Sequence, residues 1–299
     1  MKRLLLLSLV WVAQNTVAQE IVFRNPKDST QNFYQQYLPN SQPRGLIVVF
    51  YAQFQNPKLV TDRGFMLVSL TPQADYLQTM FGTALLKISS EMIDEICKQN
   101  HIPTDKVIVG GLSAAGTLAL RLAEESHNPK RTKLTIKPAA VFAIDPPLDY
   151  ERFWYECQRK VKLNFHPAAV SEGQEVLRRM KAAFGGSPAQ FQQKYWSAAP
   201  YSRNAPDGGQ IVLLRNTAIR IYHEPDVDWW IENRRQDYVS MNSVDCAGAI
   251  NDLRILGNSR AQLISTTKKG YREDGTRHPH SWAIVDEKEL VDWCAEVLK

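Results

Sequence analysis

The sequence has few cysteines and no paired cysteine motif. The four that occur are dispersed, with no Cys-x-x-Cys pair: Cys97, Cys157, Cys246 and Cys294. Their spacing gives no support to a zinc site, and in an exported protein they allow three disulfide connectivities among which the sequence does not choose. Cys97 and Cys294 lie in helical patterns, where a buried free thiol is the simpler interpretation.

Basic clusters, nucleotide-binding loops and repeats are also missing. No run of Lys and Arg is interleaved with aromatics, which argues against a nucleic-acid partner. Neither G-x-G-x-x-G nor a P-loop lysine is present. We find no internal repeat, and 44% hydrophobic with 22% charged residues is typical of a globular protein. A single domain over residues 19–299 is the simplest interpretation.

No apolar run is long enough to span a membrane. The stretch Leu4–Ala13 follows a basic start and precedes small residues at Thr16 and Ala18. It is shorter than the ~20 residues that a span requires, so residues 1–18 are predicted to be a signal peptide rather than a membrane anchor or a buried first helix. We expect an exported protein, periplasmic or secreted. Without Lys2 and Arg3, the 36 basic residues become 34 against 31 acidic ones, a mildly basic balance.

Short apolar runs alternate with helical patterns, which predicts an α/β fold: a mostly parallel sheet flanked by helices on both faces. The predicted strands are rich in Val, Ile, Leu and Phe, as expected for strands buried on both faces: Gly45–Tyr51, Phe65–Leu70, Lys106–Val109, Ala139–Ile144, Ala218–His223 and Ala261–Thr266. The predicted helices are Thr83–Lys98, Ser113 to about Glu125, and Glu287–Leu298. Residues 149–207 break the alternation and are predicted to be a helical lid insertion, with a separate subdomain as the alternative.

The most informative segment runs from Lys106 to Thr117, KVIVGGLSAAGT, a strand that enters a glycine pair, a serine and then a helix. A serine on such a sharp turn projects its hydroxyl above the sheet, and the helix N-terminus behind it favours a negative oxygen. Ser113 is therefore the candidate nucleophile. The segment resembles the G-x-S-x-G elbow of the α/β-hydrolase family, with Ala115 in place of the second glycine and Gly116 one position later. A nucleotide-binding loop is the alternative.

The resemblance, which extends from about Gly45 to Leu298, implies that an acid and then a histidine follow the serine in the chain. His280, after the last predicted strand, is the candidate base, and His278 is the reserve. A His-x-His pair can bind a metal, but no third ligand accompanies it, so we expect no metal and no cofactor. The candidate acid is Asp226, after the strand that ends at His223.

Other acidic residues remain open as alternatives. Asp228 is the reserve and Glu224 a weaker third choice, while Asp226 or Asp228 could instead cap a helix. Asp145 also stays open, because some hydrolases of this family take the acid from the preceding strand. The two prolines that follow it, Pro146 and Pro147, indicate instead a rigid connection from the strand into the lid.

The resemblance further implies an oxyanion site of backbone N–H groups, from Ala114 and from Ala52 or Gln53 after the first predicted core strand. Here that loop reads Tyr-Ala-Gln-Phe rather than a glycine run. Aromatics outside the insertion that are predicted to line the substrate pocket are Tyr51, Trp229, Trp230 and Trp282. The insertion adds Phe153, Trp154, Tyr155, Tyr195 and Trp196. Each of them could instead pack in the core.

The resemblance implies a serine hydrolase that cleaves an ester with a Ser113–His280–Asp226 triad. A serine peptidase of the prolyl-oligopeptidase type and a non-catalytic ligand-binding protein are the alternatives. The expected partner is a small-molecule ester or peptide. We expect no nucleic acid and no stable membrane span after signal cleavage, and the sequence leaves the oligomeric state open.

Overall fold

The computed structural model describes residues 19–25, 27, 32–129 and 134–299; the predicted signal peptide lies outside them. Eight strands of the described residues form one sheet: β1 Gln19–Phe23, β2 Phe33–Tyr37, β3 Leu46–Phe50, β4 Met66–Thr71, β5 Val107–Leu112, β6 Ala140–Ile144, β7 Ala218–His223 and β8 Ala261–Ser265. Their spatial order is β1-β2-β4-β3-β5-β6-β7-β8. All pairs from β4 to β8 are parallel, whereas β2 is antiparallel to both β1 and β4. The mostly parallel sheet is confirmed.

The six predicted strands correspond to β3–β8 with boundaries close to those expected, except that β5 continues through the glycine pair to Leu112. A Cβ atom on Gly110 would lie 2.3 Å from the ring of Phe142 in β6. The glycine therefore lets β5 pack beside a large neighbour in the middle of the sheet. The strands β1 and β2 were not predicted, because FYQQY alternates too weakly to indicate a strand.

Helices cover both faces of the sheet. In chain order they are α1 Lys58–Thr61, α2 Tyr76–Phe81, α3 Ala84–Gln99, α4 Ala114–His127, α5 Tyr150–Leu163, α6 Pro167–Phe184, α7 Pro188–Ala198, α8 Val227–Arg234, α9 Ser243–Ile255 and α10 Glu287–Val297. One core cluster joins the sheet to α3, α4 and α9, and a second joins its other face to α1 and α10. No helix in the described ranges is long and apolar enough to cross a membrane.

The insertion predicted over residues 149–207 begins as three helices, α5, α6 and α7, which share a core cluster of their own with α2. A buried ion pair joins it to the body of the protein: the Arg152 guanidinium lies 2.7 Å from the Asp245 carboxylate at the start of α9. The same carboxylate accepts the N–H groups of Leu148 and Asp149. This network fixes the first turn of α5. That the insertion acts as a lid stays a prediction.

All four cysteines are buried and free, which confirms the interpretation of Cys97 and Cys294 as buried thiols. Burial raises the pKa of Cys97 to about 12 and raises those of the other three as well. The thiolate is the reactive form of cysteine, so these side chains act as small core residues.

Candidate functional site

Ser113 occupies a strained turn between β5 and α4. Its φ of 56° and ψ of −126° are rare for any residue with a side chain. Two backbone hydrogen bonds hold the turn: the Ser113 N–H donates to the carbonyl of Ile144 at 2.8 Å, and the Thr117 N–H donates to that of Ser113 at 3.0 Å. Strain of this kind persists where the surrounding structure imposes it, commonly at functional sites.

The turn closes because its neighbours are small. A Cβ atom on Gly111 would lie 2.7 Å from the methyl group of Ala115, and one on Gly116 would lie 2.8 Å from the Gly111 carbonyl oxygen. The absence of a side chain at Gly111 thus leaves room for the Ala115 methyl. The alanine in place of the second elbow glycine is accommodated without opening the turn.

An imidazole–carboxylate pair lies at the same end of the sheet. His280 Nδ1 is 2.6 Å from Asp145 Oδ2. Because a carboxylate only accepts, Nδ1 carries the proton of this contact, and in the neutral imidazole Nε2 is then the nitrogen with the free lone pair. Asp145 directly follows β6, which is the neighbour of β5, and its backbone has a positive φ of 44°.

The predicted pairing of Asp226 with His280 is wrong. Asp226 caps α8, accepting the Trp229 N–H at 3.2 Å, and its other oxygen lies 2.5 Å from the Arg277 guanidinium. Asp228 is exposed in the first turn of α8. The cause is distance along the sheet, because β7 lies one strand farther from the elbow than β6 does.

The acidic residues after β7 instead hold the loop that carries the histidines. Glu224 is buried, lies 2.5 Å from Arg277, and accepts the N–H groups of Lys269 and Gly270. Arg277 thereby joins two carboxylates just before His278. A buried charge is tolerated when it is paired and hydrogen-bonded in this way, so the network fixes the approach to His280.

The Asp145 segment is held from three sides. The Asp145 N–H donates to the Tyr222 carbonyl at 2.8 Å, and the Asn242 side-chain amide donates to the Asp145 carbonyl at 3.0 Å. The Cys246 thiol faces the Pro146 carbonyl at 3.8 Å. Asn242 was missed at the sequence level, since nothing in its local pattern connects it with a segment 97 residues away.

His278 supports His280 rather than replacing it. Its Nδ1–H donates to the His280 carbonyl at 2.8 Å, and its ring lies 5.1 Å and 6.1 Å from the rings of Trp229 and Trp230. Burial lowers the pKa of His278 to about 4. The ring is therefore neutral at neutral pH and contributes a hydrogen bond without a charge.

This neutral state predicts a pH dependence of stability. Between pH 6.5 and 4 the unfolded chain binds a proton at residue 278 that the folded chain excludes, so folding weakens as the pH falls through this window. We expect His278→Gln to lower this acid-induced loss of unfolding free energy by about 2 kcal/mol, after allowance for partial exposure. Urea unfolding of both proteins at pH 7, 5 and 4 measures it. An unchanged difference between pH 7 and pH 4 would contradict the buried neutral ring.

Ser113, Asp145 and His280 line one cavity of about 630 Å³. Its other walls come from α2, α5, α6 and α8. Among the described residues, no hydrogen bond joins the Ser113 hydroxyl to His280. Catalytic hydrogen bonds are often long in unliganded enzymes and tighten when substrate binds. Ser113 and His280 line the same cavity.

The predicted oxyanion donors lie around the elbow. The Ala114 N–H follows Ser113 at the start of α4, where the first N–H groups have no intrahelical acceptor. Ala52 and Gln53 follow β3, whose last residue pairs with Gly111, so their loop starts beside the elbow. The Ala52 carbonyl accepts the Ser69 hydroxyl, and the Gln53 amide bonds to Gln35.

The predicted pocket aromatics are only partly correct. Of the predicted aromatics, Phe153 and Trp230 line the cavity, and Tyr76, which was not predicted, lines it as well. The other predicted aromatics do not line it: Tyr51, Trp154, Tyr155, Tyr195, Trp196, Trp229 and Trp282. The Tyr51 hydroxyl donates to the Pro72 carbonyl at 2.6 Å. The Trp282 indole donates to Glu287 at 2.9 Å and packs on Phe54 and Phe142. Trp229 lies behind His278.

No family model and no curated protein matches the chain. Solved structures do. MPT51 from Mycobacterium tuberculosis has a TM-score of 0.57 at 12% identity, covering 95% of this chain and 100% of its own. An S-formylglutathione hydrolase from Agrobacterium tumefaciens has a TM-score of 0.53 at 12% identity, and the match covers 96% of this chain and 99% of that one. Carboxyl esterase 2 from Tuber melanosporum has a TM-score of 0.54 at 14% identity, and the match covers 95% of this chain and 88% of that one. At such identities the likeness concerns the fold.

Proposed function

Because this chain has the α/β-hydrolase fold, we propose that it is a serine hydrolase that cleaves carboxylic esters through an acyl-enzyme. The observation that carries the proposal is the 2.6 Å contact between His280 Nδ1 and Asp145 Oδ2, in a cavity that Ser113 reaches from a strained turn. The contact leaves His280 Nε2 as the only ring nitrogen able to accept a proton.

In the proposed first half-reaction, Ser113 Oγ attacks the ester carbonyl while His280 Nε2 takes the hydroxyl proton. Asp145 stabilises the resulting imidazolium and keeps its ring oriented. The carbonyl oxygen becomes negative and accepts a hydrogen bond from the Ala114 N–H and a second one from the N–H of Ala52 or Gln53. The C–O bond then breaks, and His280 returns its proton to the departing alcohol.

In the second half-reaction a water molecule replaces the alcohol. His280 Nε2 removes a proton from the water, whose oxygen attacks the acyl carbonyl. The Ser113 ester bond breaks, and the proton passes from His280 to Ser113 Oγ, which restores the free hydroxyl and releases a carboxylic acid. An ester suits this site because an alcohol leaves more easily than an amine. Export remains part of the proposal, supported by the N-terminal pattern.

A fluorophosphonate probe tests whether Ser113 is an activated nucleophile. We expect the purified protein to be labelled stoichiometrically, with the added mass on the peptide that contains Ser113, because the probe reacts only with a serine that a base deprotonates. Peptide mass spectrometry locates the adduct, and Ser113→Ala is the control. An intact protein that resists the probe under conditions that label a reference serine hydrolase would favour the ligand-binding alternative.

The same preparation separates esterase from peptidase. Hydrolysis of 4-nitrophenyl acetate is compared with release of 4-nitroaniline from a proline-containing peptide anilide. Turnover of the ester alone supports the proposal. A higher kcat/KM for the anilide than for the ester would instead indicate that the same residues act in a serine peptidase.

A further inference from the structure

Two cations, Lys160 on α5 and Arg234 at the end of α8, line the cavity that contains Ser113 and His280. The Lys160 side chain is only 14% exposed, and its ammonium lies 3.9 Å from the half-exposed Glu172 carboxylate. That distance is beyond a hydrogen bond. The ammonium also lies 5.9 Å from the centroid of the Phe153 ring. The lysine charge is thus largely removed from water and, among the described residues, has no carboxylate within hydrogen-bonding distance.

The Arg234 guanidinium has even less compensation for its charge. It donates to the neighbouring Asn233 carbonyl at 3.0 Å and stacks 5.6 Å from the Trp229 ring. Within the described ranges it meets no carboxylate. Other arginines of this region do: Arg152 pairs with Asp245, Arg159 with Asp237, and Arg277 with Glu224 and Asp226. Arg234 therefore keeps donors available toward the cavity.

The acidic residues of the cavity wall do not cancel these cations. Glu175 accepts hydrogen bonds from Arg178 and Arg179, which lower its pKa to about 2, so its charge is already neutralised on α6. His278 is neutral, as described above. Asp145 is held by its hydrogen bond with His280. Glu172, the remaining acid among the described lining residues, has a side chain that is 47% exposed to solvent. Among the described residues that line the cavity, no acid therefore lies within hydrogen-bonding distance of Lys160 or Arg234.

We infer that the substrate is an ester that also carries a free carboxylate, held by Arg234 and Lys160 while its ester carbonyl reaches Ser113. A planar guanidinium matches a carboxylate in a two-point contact, and a lysine adds a point charge. Partial burial strengthens both interactions relative to bulk water. The ester part of this inference rests on the proposed function, whereas recognition of the carboxylate does not require the reaction.

The kinetic test compares two esters that differ only at one end of the acyl chain. Mono-4-nitrophenyl glutarate ends in a carboxylate, and 4-nitrophenyl pentanoate has a methyl group in its place. We expect wild-type kcat/KM to favour the glutarate, and Arg234→Gln to lower the glutarate-to-pentanoate ratio about tenfold or more. Lys160→Gln should lower it in the same direction. The matched control is Lys162→Gln, which removes one charge from an exposed position on α5 that does not line the cavity; it should leave the ratio unchanged.

A binding measurement keeps the inference independent of turnover. Monomethyl glutarate and dimethyl glutarate are titrated calorimetrically into Ser113→Ala, with and without Arg234→Gln, at low and high salt. We expect the monoester to bind more tightly, and the preference to fall with salt and with loss of Arg234. Charge-selective binding without hydrolysis of any ester would refute the proposed function alone. Equal binding of both ligands, with a kinetic ratio that Arg234→Gln does not change, would overturn the carboxylate site.

Discussion

Ser113→Ala and His280→Ala are each expected to lower kcat for 4-nitrophenyl acetate by about 10⁵- to 10⁶-fold, and the double variant by no more than either single one. The effects should not add, because the serine without its base and the base without its serine both lose the same step. Spectrophotometric assay of nitrophenolate release measures all three. The residual rate should reflect binding and the backbone donors around Ala114.

His278→Ala is the matched control for this prediction. The residue lies two positions from His280 but donates its Nδ1–H to a backbone carbonyl. Its loss should loosen the loop and change kcat by about tenfold or less. If His278→Ala were the more damaging of the two histidine variants, the base would have to be reassigned to His278.

Asp145→Asn is expected to lower kcat by about 10⁴-fold while leaving the fold intact. An asparagine at residue 145 can present an N–H group to His280, which would favour the tautomer with its proton on Nε2 and leave no base toward Ser113. Circular dichroism and thermal unfolding check that the variant remains folded.

Asp226→Asn tests whether Asp145 or Asp226, which the sequence favoured, is the acid that orients His280. The substitution keeps a capping side chain on α8 but weakens the contact with Arg277. We expect it to reduce stability by about 1 kcal/mol, as typical for a partly exposed ion pair, and to change kcat by less than tenfold. A loss of activity as large as that of Asp145→Asn would mean that Asp226, and not Asp145, orients His280 in solution.

The sequence located Ser113 and the strands β3–β8 because their signals are local. A strand buried on both faces must be apolar along its length, and a turn as tight as the elbow requires glycine and alanine at fixed positions. The same locality explains what was missed. The sequence of β2, FYQQY, alternates too weakly to indicate a strand, and its place in the sheet depends on pairing with residues of β4 that lie 30 to 38 positions later in the chain.

Local signals could not identify the acidic residue that pairs with His280. Asp145, Glu224, Asp226 and Asp228 all follow the ends of buried parallel strands, and any of them satisfies the local requirement for an acid at that edge. The pocket lining had the same difficulty, because Trp229, Trp230 and Trp282 have similar local contexts and only Trp230 reaches the cavity.

By itself, the sequence determined the fold class, the position of the serine and the segment that carries the histidine, since each depends on residues close together in the chain. The tertiary structure alone decided that Asp145 meets His280, that Arg277 binds the acids after β7, and that Lys160 and Arg234 share a cavity with Ser113. Those contacts depend on which strands are neighbours and how the loops return, and a pairing across 135 residues leaves no periodicity in the chain.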